Sequence, residues 1–171
     1  MGHGQALWLA TLGYLIVVEV IGQNVAKAHT TFRRKGSEEC FMAGAQEFAA
    51  RSVTAKDARA LYGLRCSFAH EYGLRSAKSS VRHQFALRRD GPLVEHPEID
   101  WMQIPDPCDA SKKVWPTAKP ENWTWINLLE VGVFVEELIS NLRAEHAAGR
   151  VVLAQGVTYL ELRDRSQFFT T

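Results

Sequence analysis

The chain has 171 residues, enough for one domain with a sizeable core. Its composition is 46% hydrophobic and 23% charged, that of a globular protein, and a net charge of +1 excludes a chain-wide field that would gather nucleic acid or membrane; any polyanion site must be local. Three scattered cysteines, Cys40, Cys66 and Cys108, with no Cys-x-x-Cys pair, argue against a secreted disulfide framework and a structural zinc site, and read as reduced thiols in a cytoplasmic protein.

Residues 5–27 read as a helix that is apolar nearly all round, so it is central or faces two neighbours. Its uncharged part is shorter than the ~20 residues that span a bilayer, and Glu19 interrupts it, which favours a buried core helix without membrane contact. A basic loop follows at 31–37. Ser37 before Glu38 and Glu39 marks the start of a second helix, running to about Ala50, with acids at the positive end of its dipole. Thr54-x-x-Asp57 has the form of a capping box and opens a third helix that stops near Gly73. The alternation of Phe85 and Leu87 before Asp90-Gly91 predicts a hairpin insertion over 83–96, and the proline-rich stretch 97–121 reads as a long loop. A fourth helix buries Leu128, Val131, Val135, Leu138 and Leu142, exposes Glu136, Ser140 and Arg143, and stops at Gly149. Residues 150–162 read as two short terminal strands. The sum is one all-α domain over 1–171, a four-helix bundle with a small β-hairpin appendage.

The third helix carries the segment "ALYGLRCSFAHEYGL", residues 60–74. At 3.6 residues per turn Leu61, Leu64, Phe68 and Tyr72 share a stripe, and Arg65 falls among them. A guanidinium there requires a paired acid, a cleft or a bound anion. The structural explanation is an ion pair with Glu19 or another acid of the bundle; for His70 it is a surface or C-terminal dipole position. The chemical explanation is phosphoryl chemistry, in which arginine binds phosphate oxygens and histidine moves protons. Arg89 and His96 have a similar spacing but straddle the Asp90-Gly91 turn and share no helix.

After the motif, residues 75–89 contain Arg75, Lys78, Arg82, Arg88 and Arg89 and no acid. Such a local basic patch on a neutral chain fits either a phosphate-backbone footprint, with Arg75, Lys78 and Arg82 as RNA contacts, or a solvated connection.

A helical chain carrying "LYGLRCSFAHEYGL" resembles the HEPN superfamily, all-α domains marked by Arg, four to six residues, then His, late in a bundle helix. The resemblance implies a HEPN-like four-helix bundle and a metal-independent endoribonuclease without a cofactor, usually a homodimer, and often a toxin or defence factor with an antitoxin or regulatory protein as a further partner. It makes Arg65 and His70 the catalytic pair, facing each other across the dimer interface, although Cys66 stands where many active members carry Asn, Asp or His. The 2′-hydroxyl of RNA would attack the adjacent phosphate and leave 2′,3′-cyclic phosphate and 5′-hydroxyl ends.

The rival reading is a non-catalytic dimeric helical bundle that binds a partner protein or RNA. The surroundings of Arg65 discriminate the two. A cleft with no acid near the guanidinium favours the enzyme; a closed pair with Glu19 favours the binding module. For the dimer, helix three offers a second flank of Tyr62, Cys66, Ala69 and His70, with Lys56, Ala60, Gly63, Ser67 and Glu71 left for solvent.

Overall fold

A computed structural model describes residues 2–28, 36–71, 75–76, 83–96 and 123–153. The helices are α1 (Gly2–Asn24), α2 (Ser37–Glu47), α3 (Ala55–Cys66), continued by a π-turn at Ser67–Glu71, and α4 (Leu128–Ala147). Among the described residues six short strands accompany them: β1 (Val25–Lys27), β2 (Arg75–Ser76), β3 (His83–Arg88), β4 (Val94–Glu95), β5 (Thr124–Asn127) and β6 (Val151–Leu153). The protein is therefore mostly helical with two small sheets.

α1 packs its inner side, Leu15, Val18 and Ile21, against α2, α3 and α4. It crosses α2 with the two backbones touching. A Cβ on Gly22 would overlap the Cys40 carbonyl oxygen, and one on Gly44 would overlap the Val18 carbonyl oxygen. Only glycine permits that approach at either position. The apolar-all-round pattern of α1 does not mean full burial: Leu9, Ile16, Val17 and Val20 form an outward stripe, 60%, 41%, 36% and 42% exposed. By length and composition, Leu7–Asn24 is the one helical segment among the described residues able to cross a membrane; here its inner side belongs to the core.

Of three expected helix boundaries, two move and one holds. The first helix ends at Asn24, and Val25–Lys27 pairs antiparallel with β6 instead of continuing the helix. α2 is preceded by Gly36 at φ 91°, with no side-chain cap; Ser37 is its first helical residue and spends its hydroxyl on Glu19. α3 opens on the predicted capping box, with Asp57 N–H donating to Thr54 Oγ1 (3.1 Å) and Thr54 N–H to Asp57 Oδ2 (3.2 Å).

The 83–96 hairpin does not form. β3 and β4 both pair with β5, which lies between them in the order β2-β3-β5-β4; β3 and β5 run parallel. Pro92 brings no donor to a β3–β4 ladder. The bend, with Gly91 at φ 76°, is closed from β5: Asn127 N–H donates to the Leu93 carbonyl (3.2 Å) and its Nδ2 to the Gly91 carbonyl (2.8 Å). Asn127 also caps α4, its Oδ1 accepting from Leu129 and Glu130 N–H. α4 buries Leu128, Val131, Val135 and Leu138 as its periodicity predicts, leaves Leu142 of the expected face half-buried near the helix end, adds Phe134, and stops at Gly149 with φ 69°. The long loop at 97–121 lies outside the described residues, as does the terminal stretch beyond Leu153; of the two expected terminal strands, β6 is present and its partner is β1.

Candidate functional site

Arg65 stands in the last turn of α3, where three helices meet. Its stripe companions Leu61, Leu64 and Phe68 are at most 1% exposed, so this flank of α3 is core. Burying each such side chain contributes roughly 1.5–3 kcal/mol, enough to fix the rotation of α3 and with it the position of Arg65. Arg65 Nε lies 2.8 Å from Glu19 Oε2 on α1, with the two side chains 19% and 8% exposed. The other carboxylate oxygen, Oε1, accepts a short hydrogen bond from Ser37 Oγ at the start of α2. One carboxylate thus ties α1, α2 and α3 together.

Tyr62, one turn before Cys66, extends this polar seam. Burial, followed by its hydrogen bond with Cys66, raises the phenol above its ordinary pKa, while a hydrogen bond with Ser37 works the other way. Its ring packs on Phe41 of α2, centroids 5.6 Å apart. Cys66 and Cys40 are buried and neither is in a disulfide; Cys108 lies outside the described residues.

His70 belongs to the π-turn. Five residues of a regular helix separate two positions by about 140°. The π-turn departs from that regular spacing between Arg65 and His70. The side chains of His70 and Arg75 are not among those described, and Lys78 and Arg82 lie outside the described residues. Arg75 opens β2, in register with Gln84 of β3. Arg88, part of the same basic stretch, is already engaged: its Nη2 lies 2.7 Å from Glu95 Oε2, and its guanidinium sits over Trp125.

Of the expected solvent face of α3, Lys56 is exposed, but three positions are not. Ala60, Gly63 and Ser67 are buried, because α1 and α2 cover one side of the helix while β3 and β4 cover another. Of the flank expected to face a second copy, Cys66 is buried and Tyr62 and Ala69 are half-buried.

His96 was outside the sequence-based site and is drawn into a pair of its own. Its Nε2 is 2.7 Å from Asp57 Oδ1, the same carboxylate that caps α3. Burial raises the Asp57 pKa, but hydrogen bonds from Thr54 and His96 outweigh it and hold the carboxyl below its ordinary value. No periodicity links His96 to Asp57; only the β4 strand, placed by β5, brings them together. Arg51 was missed in the same way, clamping α4 through Glu130 (2.8 Å) and Glu137 (2.7 Å). Among the described residues no group of three or more His, Cys, Asp or Glu side chains could hold a metal ion.

Against known protein families, characterised proteins and solved structures, the chain has no match.

Proposed function

We propose that this chain is a non-catalytic helical module that binds RNA through its basic stretch, with Arg65 acting as an internal strut. The closed Arg65–Glu19 pair carries this reading. A phosphate approaching Arg65 meets a carboxylate already on the guanidinium, and Coulomb repulsion between that carboxylate and the phosphate opposes binding. RNA contact is then left to Arg75, Lys78 and Arg82, beyond the π-turn, as a backbone footprint without base readout. In this reading the module pairs with a second copy through the outward stripe of α1, whose large apolar side chains are open to solvent.

The test is anisotropy with labelled single-stranded RNA in EDTA, with the RNA run on a gel afterwards. Binding without cleavage is expected. Replacing Arg75, Lys78 and Arg82 with Ala should reduce the log–log salt slope by roughly two to three units. Unchanged slope and affinity would return the stretch to a solvated connection.

A second reading, the metal-independent endoribonuclease, keeps one observation in its favour: His70 lies in a π-turn that continues the helix carrying Arg65, and such turns recur at functional sites. RNA cleavage in EDTA that disappears in both Arg65→Ala and His70→Ala, with both variants folded, would replace the binding module by the enzyme.

A further inference from the structure

α4 and α1 end at the same small sheet. β1 leaves α1 directly, and β6 returns from α4 through the Gly149 turn. That turn is held by a two-pronged contact, Arg150 Nε to Glu145 Oε2 (2.8 Å) and Arg150 Nη2 to Glu145 Oε1 (2.7 Å). Between the last turns of α4 and the β1–β6 ribbon lies a cavity of about 330 Å³. This is within the range of small-molecule sites.

Its lining has two parts. Val25, Leu142, Val151 and Leu153 form an apolar wall, and Arg143 and His146 stand at its polar edge. Arg143 and His146 are three residues apart on α4 and therefore share a face. Neither makes an ion pair or side-chain hydrogen bond among the described residues. Glu145, the acid nearest in sequence, is turned to Arg150 and its charge is matched there. The negative end of the α4 dipole would oppose an anion, but its final carbonyls are occupied: those of Ala144, Glu145 and His146 accept from Ala148, Arg150 and Gly149 N–H.

We infer that this cavity binds a small amphipathic carboxylate of the acyl type, its tail against Val25, Leu142, Val151 and Leu153 and its head on Arg143 and His146. An apolar wall that keeps its surface beside open solvent gains by covering it. An uncovered guanidinium at its rim selects an anion, and its planar fork matches a carboxylate. A purely apolar ligand would leave both Arg143 and His146 unused. The site shares no residue with the Arg65 seam or the basic stretch, so it is independent of the RNA-binding reading.

Calorimetric titration of the full chain with decanoate, and with decan-1-ol as the uncharged match, tests the inference. Decanoate should bind saturably, one per chain, and decanol at least about tenfold more weakly, the factor expected from loss of one charged hydrogen bond. Arg143→Glu, at an exposed helix position, should weaken decanoate about tenfold or more, while Arg143→Lys keeps most of the affinity. Leu153→Asp should abolish binding with the circular dichroism unchanged. Three results would each overturn the assignment: no saturable decanoate binding below about 1 mM, decanol binding as tightly as decanoate, or Arg143→Glu with unaltered affinity.

Discussion

Glu19 and Arg65, forty-six positions apart in the chain, meet with Oε2 and Nε 2.8 Å apart where α1, α2 and the end of α3 converge. Each is expensive to bury alone, so each fixes the other's helix. Removing one partner leaves an uncompensated charge in the seam. Arg65→Ala and Glu19→Gln should each cost about 3–5 kcal/mol, and the double variant less than the sum. Replacing both by apolar residues of similar volume, Glu19→Leu with Arg65→Met, should be close to neutral. Urea unfolding followed by circular dichroism measures all four. Single variants of wild-type stability would mean that the pair is no strut.

The α1–α2 crossing makes a sharper prediction. A Cβ on Gly22 has no space beside the Cys40 carbonyl, and one on Gly44 none beside the Val18 carbonyl. Both obstacles are backbone, which cannot rotate aside. Gly22→Ala must separate the helices, a local overpacking that costs roughly 1–3 kcal/mol or more. Gly13, on the outward stripe of α1, has open space around its would-be Cβ. There Gly13→Ala should stabilise the helix by about 1 kcal/mol. Thermal unfolding of the two variants, side by side, should therefore shift in opposite directions.

The chain order of the helices was legible in the sequence because each carries a local signal: the Thr54–Asp57 capping box, the periodic face of α4 and the stop at Gly149. The ion pair of Arg65 with Glu19 was also within reach, since a guanidinium among apolar anchors demands an acid and Glu19 is the one charge in the apolar run of α1. The sheets were not legible in the same way. β1 continues a helical pattern without a break, and only pairing with β6 makes it a strand. β5 separates β3 from β4, so the Asp90-Gly91 turn, a hairpin signal by local chemistry, is taken over by a long-range contact with Asn127. The sealing of α3 was hidden because Ala60, Gly63 and Ser67 are small: such residues fit a solvent face or a close packing contact equally well, and the sequence does not say which.

Asp57 carries a pH dependence. Its carboxyl is held below its ordinary value in the fold, so the stabilisation it supplies is complete above its unfolded pKa of about 4 and is lost as pH falls through the lower folded value. Asp57→Asn removes the titration and weakens both the cap and the contact with His96. At neutral pH the variant should be less stable by about 1–2 kcal/mol, the range of a lost cap. On acidification the two stability curves should converge below about pH 4. Parallel curves from neutral to acid pH would show that Asp57 does not carry this acid sensitivity.

The proposed dimer depends on the outer side of α1. Leu9, Ile16, Val17 and Val20 recur at helical spacing and are all open to solvent, and Leu129 and Val133 of the neighbouring α4 are exposed as well. Tyr14 joins the two helices beside this surface, lying over Gly132 and donating a hydrogen bond to Glu136 (3.0 Å). Val17→Asp would place a charge in the contact without touching the core, so it should yield monomer with unchanged helicity and little loss of protomer stability. Tyr62→Asp, by contrast, strikes the packing on Phe41 and should unfold the protomer rather than simply dissociate it. Light scattering at tens of micromolar, with circular dichroism alongside, separates the two outcomes. A wild-type protein that is already monomeric at that concentration would remove the second copy from the proposal and leave the α1 stripe to a different partner.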